Sequence, residues 1–296
     1  MMPIRLIALD IDGTLLDARG CVPESNRSAI REAVSRGIEV VLVTGRRFTF
    51  ALPVAEQIPA PLVLIANNGA VVRSKEGETK LLHLLSRETA RFVIRATPQF
   101  RTGSAVQFNR LGPRQVIYEK IDWDDPVRSG YLKRNRQYLA EVSPLEDCLD
   151  EDPIQVMFTG SMARMRAAAD FLDGLLAQAD GAPEHRFAVA RTFYESRDFA
   201  LVDVIRAGIS KGTTLLEWAA MRGISREGIM AIGDNLNDRE MLESVGLPVV
   251  MGNSVPELKA LGWRETLSVD EGGVGHAIEE YVLAPQSGFR SSARPA

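Results

Sequence analysis

Short, uninterrupted apolar runs that end in polar residues constrain the fold of this chain more than any other feature. Continuous rather than alternating apolarity is typical of strands covered on both faces, as in a parallel sheet. A segment with helical spacing, about 26–36, separates the first two runs, and a crossover of helical length, about 47–57, separates the second run from the third. The sequence therefore predicts an α/β fold with a doubly wound parallel-sheet core. The four runs are residues 6–9 before Asp10, 40–43 before Thr44, 62–66 before Asn67 and 229–232 before Gly233.

The middle of the chain has a different texture, and 296 residues are many for one core. We therefore predict an inserted α+β domain, with a discontinuous core at 1–82 and 191–284 and the insertion at 83–190. Segment 200–205 is assigned to the core, where the β-α pattern resumes, and the Ser-, Pro- and Arg-rich tail 285–296 is predicted to be disordered. The insertion contains helical patterns at about 87–95 and 163–178 and strand-like pieces at 105–108, 115–118 and 154–158.

Composition excludes several classes of protein. The formal net charge of −4 and the lack of a basic run argue against nucleic-acid binding. The apolar runs fall far short of the roughly 20 residues of a membrane span, and the first strand pattern leaves no room for a signal peptide. Cys21 and Cys148 are too far apart to indicate a zinc or disulfide motif. We expect a cytoplasmic protein with two free thiols.

Polar residues at the strand ends predict a binding site, because ligands of open α/β sheets bind beyond the carboxyl ends of the strands. Carboxylates without histidine or thiolate suit Mg²⁺ rather than zinc. A lysine at a helix start supplies a positive charge suited to phosphate. Each motif alone is also ordinary turn or capping chemistry; their convergence on one edge favours a site. The candidates are Asp10, Asp12, Thr14, Thr44, Gly45, Asn67, Asn68, Lys211, Asp234, Asn237 and Asp238.

Four ordered motifs resemble the haloacid dehalogenase (HAD) superfamily: D-I-D-G-T-L at 10–15, V-T-G-R at 43–46, I-S-K-G at 209–212 and G-D-N-L-N-D at 233–238. The long insertion between the second and third motifs resembles a C2-type cap. Further stretches resemble the Cof-type phosphatases of that superfamily: N-N-G-A at 67–70, M-G-N-S at 251–254 and D-E-G-G-V-G-H-A-I at 270–278. The resemblance implies a Rossmann-like core that carries an α+β cap.

The resemblance also implies a Mg²⁺-dependent phosphatase of small phosphorylated metabolites such as sugar phosphates. Asp10 would attack phosphorus and form an aspartyl-phosphate, while Asp12 would protonate the leaving oxygen and later deprotonate water. Mg²⁺ would bind Asp10, the Asp12 carbonyl and Asp234, with support from Asp238. The implied phosphate-binding residues are Thr14, Thr44, Gly45, Lys211 and Asn237, and Arg46 and Asn68 would face the substrate or the cap.

Two alternatives stay open at this point. A phosphotransferase or phosphomutase of the same fold would return the phosphoryl group to a sugar, and a non-catalytic protein would only bind a small ligand. Specificity would lie in the cap, whose arginines either meet the substrate or are solvated: Arg101, Arg110, Arg114 and Arg186. Residues 14–22, with a turn at Arg19-Gly20, resemble the family's flap, so Cys21 would lie near the site without acting as a nucleophile.

Overall fold

The computed structural model describes residues 3–178, 181–194 and 198–284 and has two β-sheets. Eight strands form one sheet, in the order β14-β13-β12-β1-β2-β3-β4-β5, and six form the other, in the order β10-β11-β9-β6-β7-β8. The strands are β1 (Leu6–Leu9), β2 (Glu39–Val43), β3 (Val63–Ala66), β4 (Val71–Ser74), β5 (Thr79–Leu82), β6 (Ser104–Gln107), β7 (Val116–Tyr118), β8 (Leu139–Glu141), β9 (Gln155–Gly160), β10 (Phe187–Tyr194), β11 (Phe199–Arg206), β12 (Ile229–Gly233), β13 (Leu247–Val250) and β14 (Arg264–Glu265).

Helices cover both faces of the eight-stranded sheet. In β1, Ile7 and Leu9 pack with α1, α2 and α9 on one face, whereas Leu6 and Ala8 pack with α6 and α7 on the other. The predicted doubly wound core is thereby confirmed, because burial on both faces requires the uninterrupted apolar runs. The helices are α1 (Glu24–Ser35), α2 (Phe48–Glu56), α3 (Arg87–Ala96), α4 (Ser129–Asn135), α5 (Met162–Ala177), α6 (Lys211–Met221), α7 (Arg239–Glu243), α8 (Pro256–Lys259) and α9 (Gly273–Ile278).

The central strand β1 lies between β12 and β2, and all six strands from β14 to β3 pair in parallel. Only β4 and β5 run antiparallel to their neighbours. Parallel strands deliver their carboxyl ends to one edge. The loops after β1, β2, β3 and β12 therefore converge at the edge that the sequence analysis singles out.

The six-stranded sheet is formed by the segment inserted between β5 and α6, which is called the cap below. Its outer face packs on α3 and α5 through residues such as Val106, Val156 and Val202. Its other face, which carries Ala105 and Met157, packs with α4 and contacts the core. The helical and strand patterns predicted within 83–190 correspond to α3, α5, β6, β7 and β9.

The predicted return to the core at residue 191 is wrong in one respect. Strands β10 and β11 pair with each other and β11 pairs with β9, so the chain stays in the six-stranded sheet as far as Arg206. The misassigned segment, 200–205, forms most of β11. Because β11 is covered by α5 on one side and by the core on the other, its apolar run has the same appearance as a core parallel strand.

The start of α6 is fixed by its own side chains. Ser210 Oγ accepts a hydrogen bond from the backbone N–H of Thr213 at 3.0 Å, and Thr213 Oγ1 accepts one from the N–H of Ser210 at 2.9 Å. This reciprocal capping box sets Lys211 as the first helical residue. Gly69 approaches the same point so closely that a Cβ there would lie 2.2 Å from the Ser210 carbonyl oxygen.

Two remaining features concern the chain as a whole. No helix within the described residues is both long enough and apolar enough to cross a membrane. Cys21 and Cys148 are separate free thiols, the first exposed and the second buried. The tail predicted to be disordered, 285–296, lies outside the described residues.

Replacing Gly69 with alanine should destabilise the protein. Gly69 has φ +105°, which disfavours any side chain, and its Cβ would collide with the Ser210 backbone. Gly77→Ala is the matched control, because Gly77 has φ +92° but open space around it. We expect the melting temperature of Gly69→Ala to lie at least about 4 °C below that of Gly77→Ala. Equal melting temperatures of the two variants would show that the close approach of Gly69 to Ser210 does not constrain this part of the backbone.

Candidate active site

The loops after β1 and β12 meet at the sheet edge. Asp10 is buried, and its backbone N–H donates to the carbonyl oxygen of Ile232 at 3.0 Å. Gly13 turns the chain with φ +84°, and a Cβ on it would lie 2.3 Å from Asp234 Oδ2. Thr14 Oγ1 donates to Asp234 Oδ1 at 3.0 Å. Glycine at position 13 is therefore what allows the Asp234 carboxylate to reach the Asp10 loop.

Three carboxylates gather around Lys211. Carboxylate oxygens of Asp10, Asp234 and Asp238 lie within 4.8 Å of one another. Lys211 Nζ donates to Asp10 Oδ1 at 2.7 Å and to Asp238 Oδ1 at 2.6 Å, and all three side chains of this pairing are buried. The second Asp238 oxygen accepts the backbone N–H groups of Asp234 and Asn235 at 3.1 and 3.3 Å. Asp238 thus fixes both Lys211 and the Asp234 loop.

Burial and mutual repulsion perturb the ionisation of this cluster. Burial raises the pKa of Asp10 well above its ordinary value, Asp238 raises it further, and Lys211 opposes the shift. Burial and Asp238 likewise raise the pKa of Asp234 to about 7. Burial disfavours the charged form of Lys211, but Asp10 and Asp238 outweigh it, so the pKa of Lys211 is raised. The cluster contains three carboxyl groups and the Lys211 ammonium group, so acidic groups outnumber basic ones.

The cluster fits a hard divalent cation. Its donors are all oxygens, which suits Mg²⁺, and no histidine or cysteine belongs to the group. A divalent ion would compensate the repulsion that raises the pKa of Asp10 and Asp234. Asp10, Asp234 and Asp238 are therefore brought together as the sequence analysis expects. Their roles as metal ligands remain predictions.

Asp12 lies within electrostatic range of Asp10 and Asp234 but pairs with Arg46. Its carboxylate forms a two-pronged salt bridge with Arg46, with Nε to Oδ2 at 2.8 Å and Nη2 to Oδ1 at 2.5 Å. Arg46 is positioned because its backbone N–H donates to Thr44 Oγ1 at 3.1 Å. A bidentate guanidinium-carboxylate pair fixes the orientation of both groups. The sequence left Arg46 facing either the substrate or the cap, and the structure pairs it with Asp12.

The predicted phosphate-binding residues occupy different surroundings. Thr44 is buried beside Arg46, and the Thr14 hydroxyl is already bonded to Asp234. A Cβ on Gly45 would lie 2.9 Å from Asn68 Oδ1, so glycine leaves room at the edge. Asn237 lies half-buried in the turn Leu236–Asp238. The phosphate-binding roles of these residues stay predictions.

Asn253 holds the Gly13 loop in place through a contact that the sequence analysis did not predict. Its Nδ2 donates to the Gly13 carbonyl oxygen at 2.8 Å, and its Oδ1 accepts the backbone N–H of Val269 at 2.8 Å. The M-G-N-S motif at 251–254 was the sequence signal that could have identified Asn253.

The predicted turn at Arg19-Gly20 is present. Asp17 Oδ1 accepts the backbone N–H groups of Arg19 and Cys21 at 2.9 Å.

Strand β10 of the cap lies over the sheet edge. Thr192 Oγ1 would be 3.5 Å from a Cβ on Gly45. Burial raises the pKa of the Tyr194 hydroxyl, Asp12 raises it further, and Arg46 opposes the shift, so the hydroxyl lies within electrostatic range of that pair. Thr192 and Tyr194 therefore lie near Gly45 and the Asp12–Arg46 pair, although the sequence offered no signal for either residue.

The predicted cap arginines are engaged elsewhere or exposed. Arg101 pairs with Glu119 at 3.0 Å and with Glu146 at 2.8 Å, and Arg110 pairs with Glu151 at 2.5 Å. Arg114 and Arg186 are exposed. These contacts favour the interpretation of the four arginines as ordinary charged residues of the cap over a role in meeting the substrate.

A buried amide–carboxylate network links the core to the cap. Asp203 in β11 accepts hydrogen bonds from Asn68 Nδ2 at 3.1 Å and from Gln155 Nε2 at 2.9 Å. Asn67 Nδ2 donates to Gln155 Oε1 at 3.4 Å. Asn67 and Asn68 have φ values of 51° and 54°, a conformation that asparagine tolerates better than most residues. Burial raises the pKa of Asp203 to about 7, with the Asn68 hydrogen bond opposing.

Comparison with known proteins places this arrangement in a family. Residues 7–278 match the model of the haloacid dehalogenase-like hydrolases. The chain belongs to this hydrolase family. The earlier resemblance is thereby confirmed, and the prediction of a phosphoric monoester hydrolase agrees with the family and with the phosphatase names of its relatives.

Two Bacillus subtilis relatives and one solved structure illustrate the similarity. Phosphatase YwpJ is 28% identical over 295 residues, covering 94% of this chain and 100% of YwpJ. YwtE, a 5-amino-6-(5-phospho-D-ribitylamino)uracil phosphatase, is 26% identical over 302 residues, covering 94% and 98% of the two chains. A haloacid dehalogenase-like hydrolase structure from B. subtilis has a TM-score of 0.76 at 22% identity, covering 94% and 100% of the two chains, and supports the fold.

The stability of the protein should depend on pH through Asp203. A carboxyl whose folded pKa is raised stabilises the protein below its ordinary pKa, and this contribution is lost as pH rises through about 7. Between pH 5.5 and 8.5 we expect Asp203 to account for a loss of about 2 kcal/mol in the free energy of unfolding.

Asp203→Asn should remove that part of the pH dependence, measured by denaturant unfolding in excess Mg²⁺. Asp170→Asn, at an exposed position in α5, is the matched control and should retain the wild-type slope. The same slope in Asp203→Asn and wild type would contradict the raised pKa of Asp203.

Proposed function

We propose that this protein is a Mg²⁺-dependent phosphatase that hydrolyses small phosphomonoesters, such as sugar phosphates or similar metabolites, through an aspartyl-phosphate on Asp10. The observation that carries the proposal is the buried contact of Asp10 with Lys211, beside Asp234 and Asp238, at the carboxyl edge of a parallel sheet. Asp12 stands two residues beyond the nucleophile, held by Arg46.

The first step is displacement at phosphorus. A carboxylate oxygen of Asp10 attacks the phosphorus atom, the bond from phosphorus to the leaving oxygen breaks, and Asp12 gives that oxygen a proton. Lys211 stabilises negative charge on the phosphoryl oxygens, with Thr44 and the backbone at Gly45 as further donors. The buried position of Lys211 strengthens this interaction, since water does not screen it.

The second step restores the enzyme. Asp12 takes a proton from a water molecule, the water oxygen attacks phosphorus, and the bond to Asp10 breaks with release of inorganic phosphate. Arg46 fixes the orientation of the Asp12 carboxylate through two hydrogen bonds, and Asp12 is the group that transfers the proton. A Mg²⁺ ion bound by Asp10, Asp234 and the Asp12 carbonyl, with Asp238 in support, would supply positive charge to the phosphoryl oxygens.

Two hydroxyl groups of β10 support the proposed class of substrate. Thr192 lies beside Gly45 and Tyr194 lies within electrostatic range of Asp12 and Arg46, which suits a polar, hydroxylated metabolite. The name of YwtE describes a phosphate on a ribityl chain, a polyol of this kind. This likeness supports small phosphorylated metabolites as substrates.

Phosphate release from a panel of sugar phosphates, cofactor phosphates and p-nitrophenyl phosphate tests the proposal. We expect release with Mg²⁺, none with excess EDTA, and a loss of at least about 10³-fold in kcat for Asp10→Asn, because the nucleophile is removed. Asp150→Asn, at an exposed cap position, should match wild type.

Substantial Mg²⁺-dependent release by Asp10→Asn would contradict the assignment of the nucleophile. Release of inorganic phosphate without an added sugar bisphosphate separates a hydrolase from a phosphotransferase, since only the hydrolase passes the phosphoryl group to water. A folded protein that releases no phosphate from any compound would reject the proposed activity on these substrates.

A further inference from the structure

Arg47 extends from the phosphate-binding edge into the junction between core and cap. It directly follows Arg46 and immediately precedes α2. Its side chain is buried, and Nη2 donates to Asn135 Oδ1 in α4. The guanidinium lies over the rings of Phe50 and Tyr138, with its central carbon 4.3 and 4.6 Å from their centroids. Arg47 is thus a core residue whose charged group contacts the cap.

The charge of Arg47 is not compensated within the described part of the chain. Its Nε and Nη1 are buried without a hydrogen-bond partner there, and none of the described carboxylates forms a salt bridge with it. Burial lowers the pKa of Arg47, and tyrosines rather than carboxylates oppose the shift. A buried, unpaired guanidinium is costly, and arginine does not lose its proton in proteins.

A second buried arginine has more hydrogen-bond partners than Arg47. Arg73 also stacks on a ring, that of Phe48, at 5.1 Å, and burial also lowers its pKa. Its Nε, however, donates to Thr79 Oγ1 at 3.0 Å and its Nη2 to Asn109 Oδ1 at 2.6 Å. Arg27 and Arg101 each also have one buried nitrogen without a partner, but both form salt bridges, whereas Arg47 has two such nitrogens and no described salt bridge.

The surroundings of Arg47 connect it to the phosphate edge. Burial raises the pKa of the Tyr131 hydroxyl, Arg47 opposes the shift and Asp203 adds to it, so this hydroxyl lies within range of both charges. Asp203 is bonded to Asn68, whose Oδ1 borders Gly45. Asn68 and Asp203 thus connect the predicted phosphate-binding loop to Tyr131, whose hydroxyl is within electrostatic range of the Arg47 guanidinium.

We propose that Arg47 binds a second acidic group, a carboxylate or a second phosphate, on the leaving-group part of the substrate. This inference rests on the proposed phosphatase activity. It narrows the substrates to phosphorylated acids and bisphosphates, rather than monophosphates of sugars that carry no second acidic group. An anion there would supply the missing countercharge and accept from the idle Nε and Nη1. Charge-assisted hydrogen bonds of this kind are the strong ones.

Matched substrate pairs test the inference. One pair, 3-phosphoglycerate and glycerol 3-phosphate, differs by a carboxylate; the other, fructose 1,6-bisphosphate and fructose 6-phosphate, differs by a second phosphate. We expect wild type to favour the acidic member of at least one pair by about 10- to 100-fold in kcat/KM, the range of a hydrogen bond to a charged group. The pair that responds identifies which acid is bound.

Arg47→Met should reduce that preference to less than about threefold, and Arg47→Lys, which keeps the charge, should retain part of it. Arg73→Met is the control for removing a buried, ring-stacked guanidinium, and it should keep both the wild-type preference and the wild-type rate. Equal rates within both pairs for wild type, or an undiminished preference in Arg47→Met, would overturn the role of Arg47.

Binding to the Asp10→Asn variant separates this inference from the proposed activity. Calorimetric titration with the same four compounds should give tighter binding of the acidic member, and the added Arg47→Met substitution should abolish the difference. Selective binding without any turnover in wild type would reject the phosphatase proposal and keep Arg47 as an anion-binding residue. Unselective binding would reject the role of Arg47 even in an active phosphatase.

Discussion

The buried contact of Lys211 with Asp10 and Asp238 is the interaction on which the candidate site depends. Two carboxylates lie 2.7 and 2.6 Å from one ammonium group, and Asp234 adds a third carboxylate nearby, so negative charge exceeds positive charge. Removing a charge from such a network leaves the others uncompensated in a medium of low polarity. The excess of negative charge makes the edge receptive to a metal ion, which together with Lys211 would attract the oxygens of a phosphoryl group.

Backbone conformation makes this contact possible. The parallel strands bring loops from distant parts of the chain to one edge, and Gly13 and Gly69 allow approaches that a side chain would block. The capping box at Ser210 then sets the position of Lys211. The fold contributes a rigid frame, and the chemistry lies in a few side chains that the frame holds at its edge.

Much of this frame could be predicted from the sequence. Uninterrupted apolar runs identify doubly buried strands, and the polar residues that follow them identify the edge, so Asp10, Asp234, Asp238 and Lys211 were expected to meet and do. The same criterion misplaced β11, since burial between a helix layer and the core produces an equally continuous run. An apolar run in the sequence indicates that a strand is buried on both faces, but it does not indicate which sheet that strand joins.

The cap side of the site was not predictable, because its contacts join residues far apart in the chain. Asn68 meets Asp203 across 135 residues and Arg47 meets Asn135 across 88. No local periodicity encodes such pairs, and arginines or tyrosines in a cap segment look alike whether they face solvent or substrate. Arg46 illustrates the limit: its motif marked it as interesting, but only the structure pairs it with Asp12.

The central claim is that Asp10 carries the phosphoryl group and Asp12 moves the proton. Rapid mixing of Asp12→Asn with p-nitrophenyl phosphate and Mg²⁺ tests both at once, because this leaving group departs without needing a proton, whereas the attacking water still needs a base. We predict a burst of one equivalent of nitrophenol per enzyme, followed by slow turnover. Acid quenching and borohydride reduction should then yield homoserine at position 10. A burst with the modification at another residue, or steady release without a covalent adduct, would contradict the account.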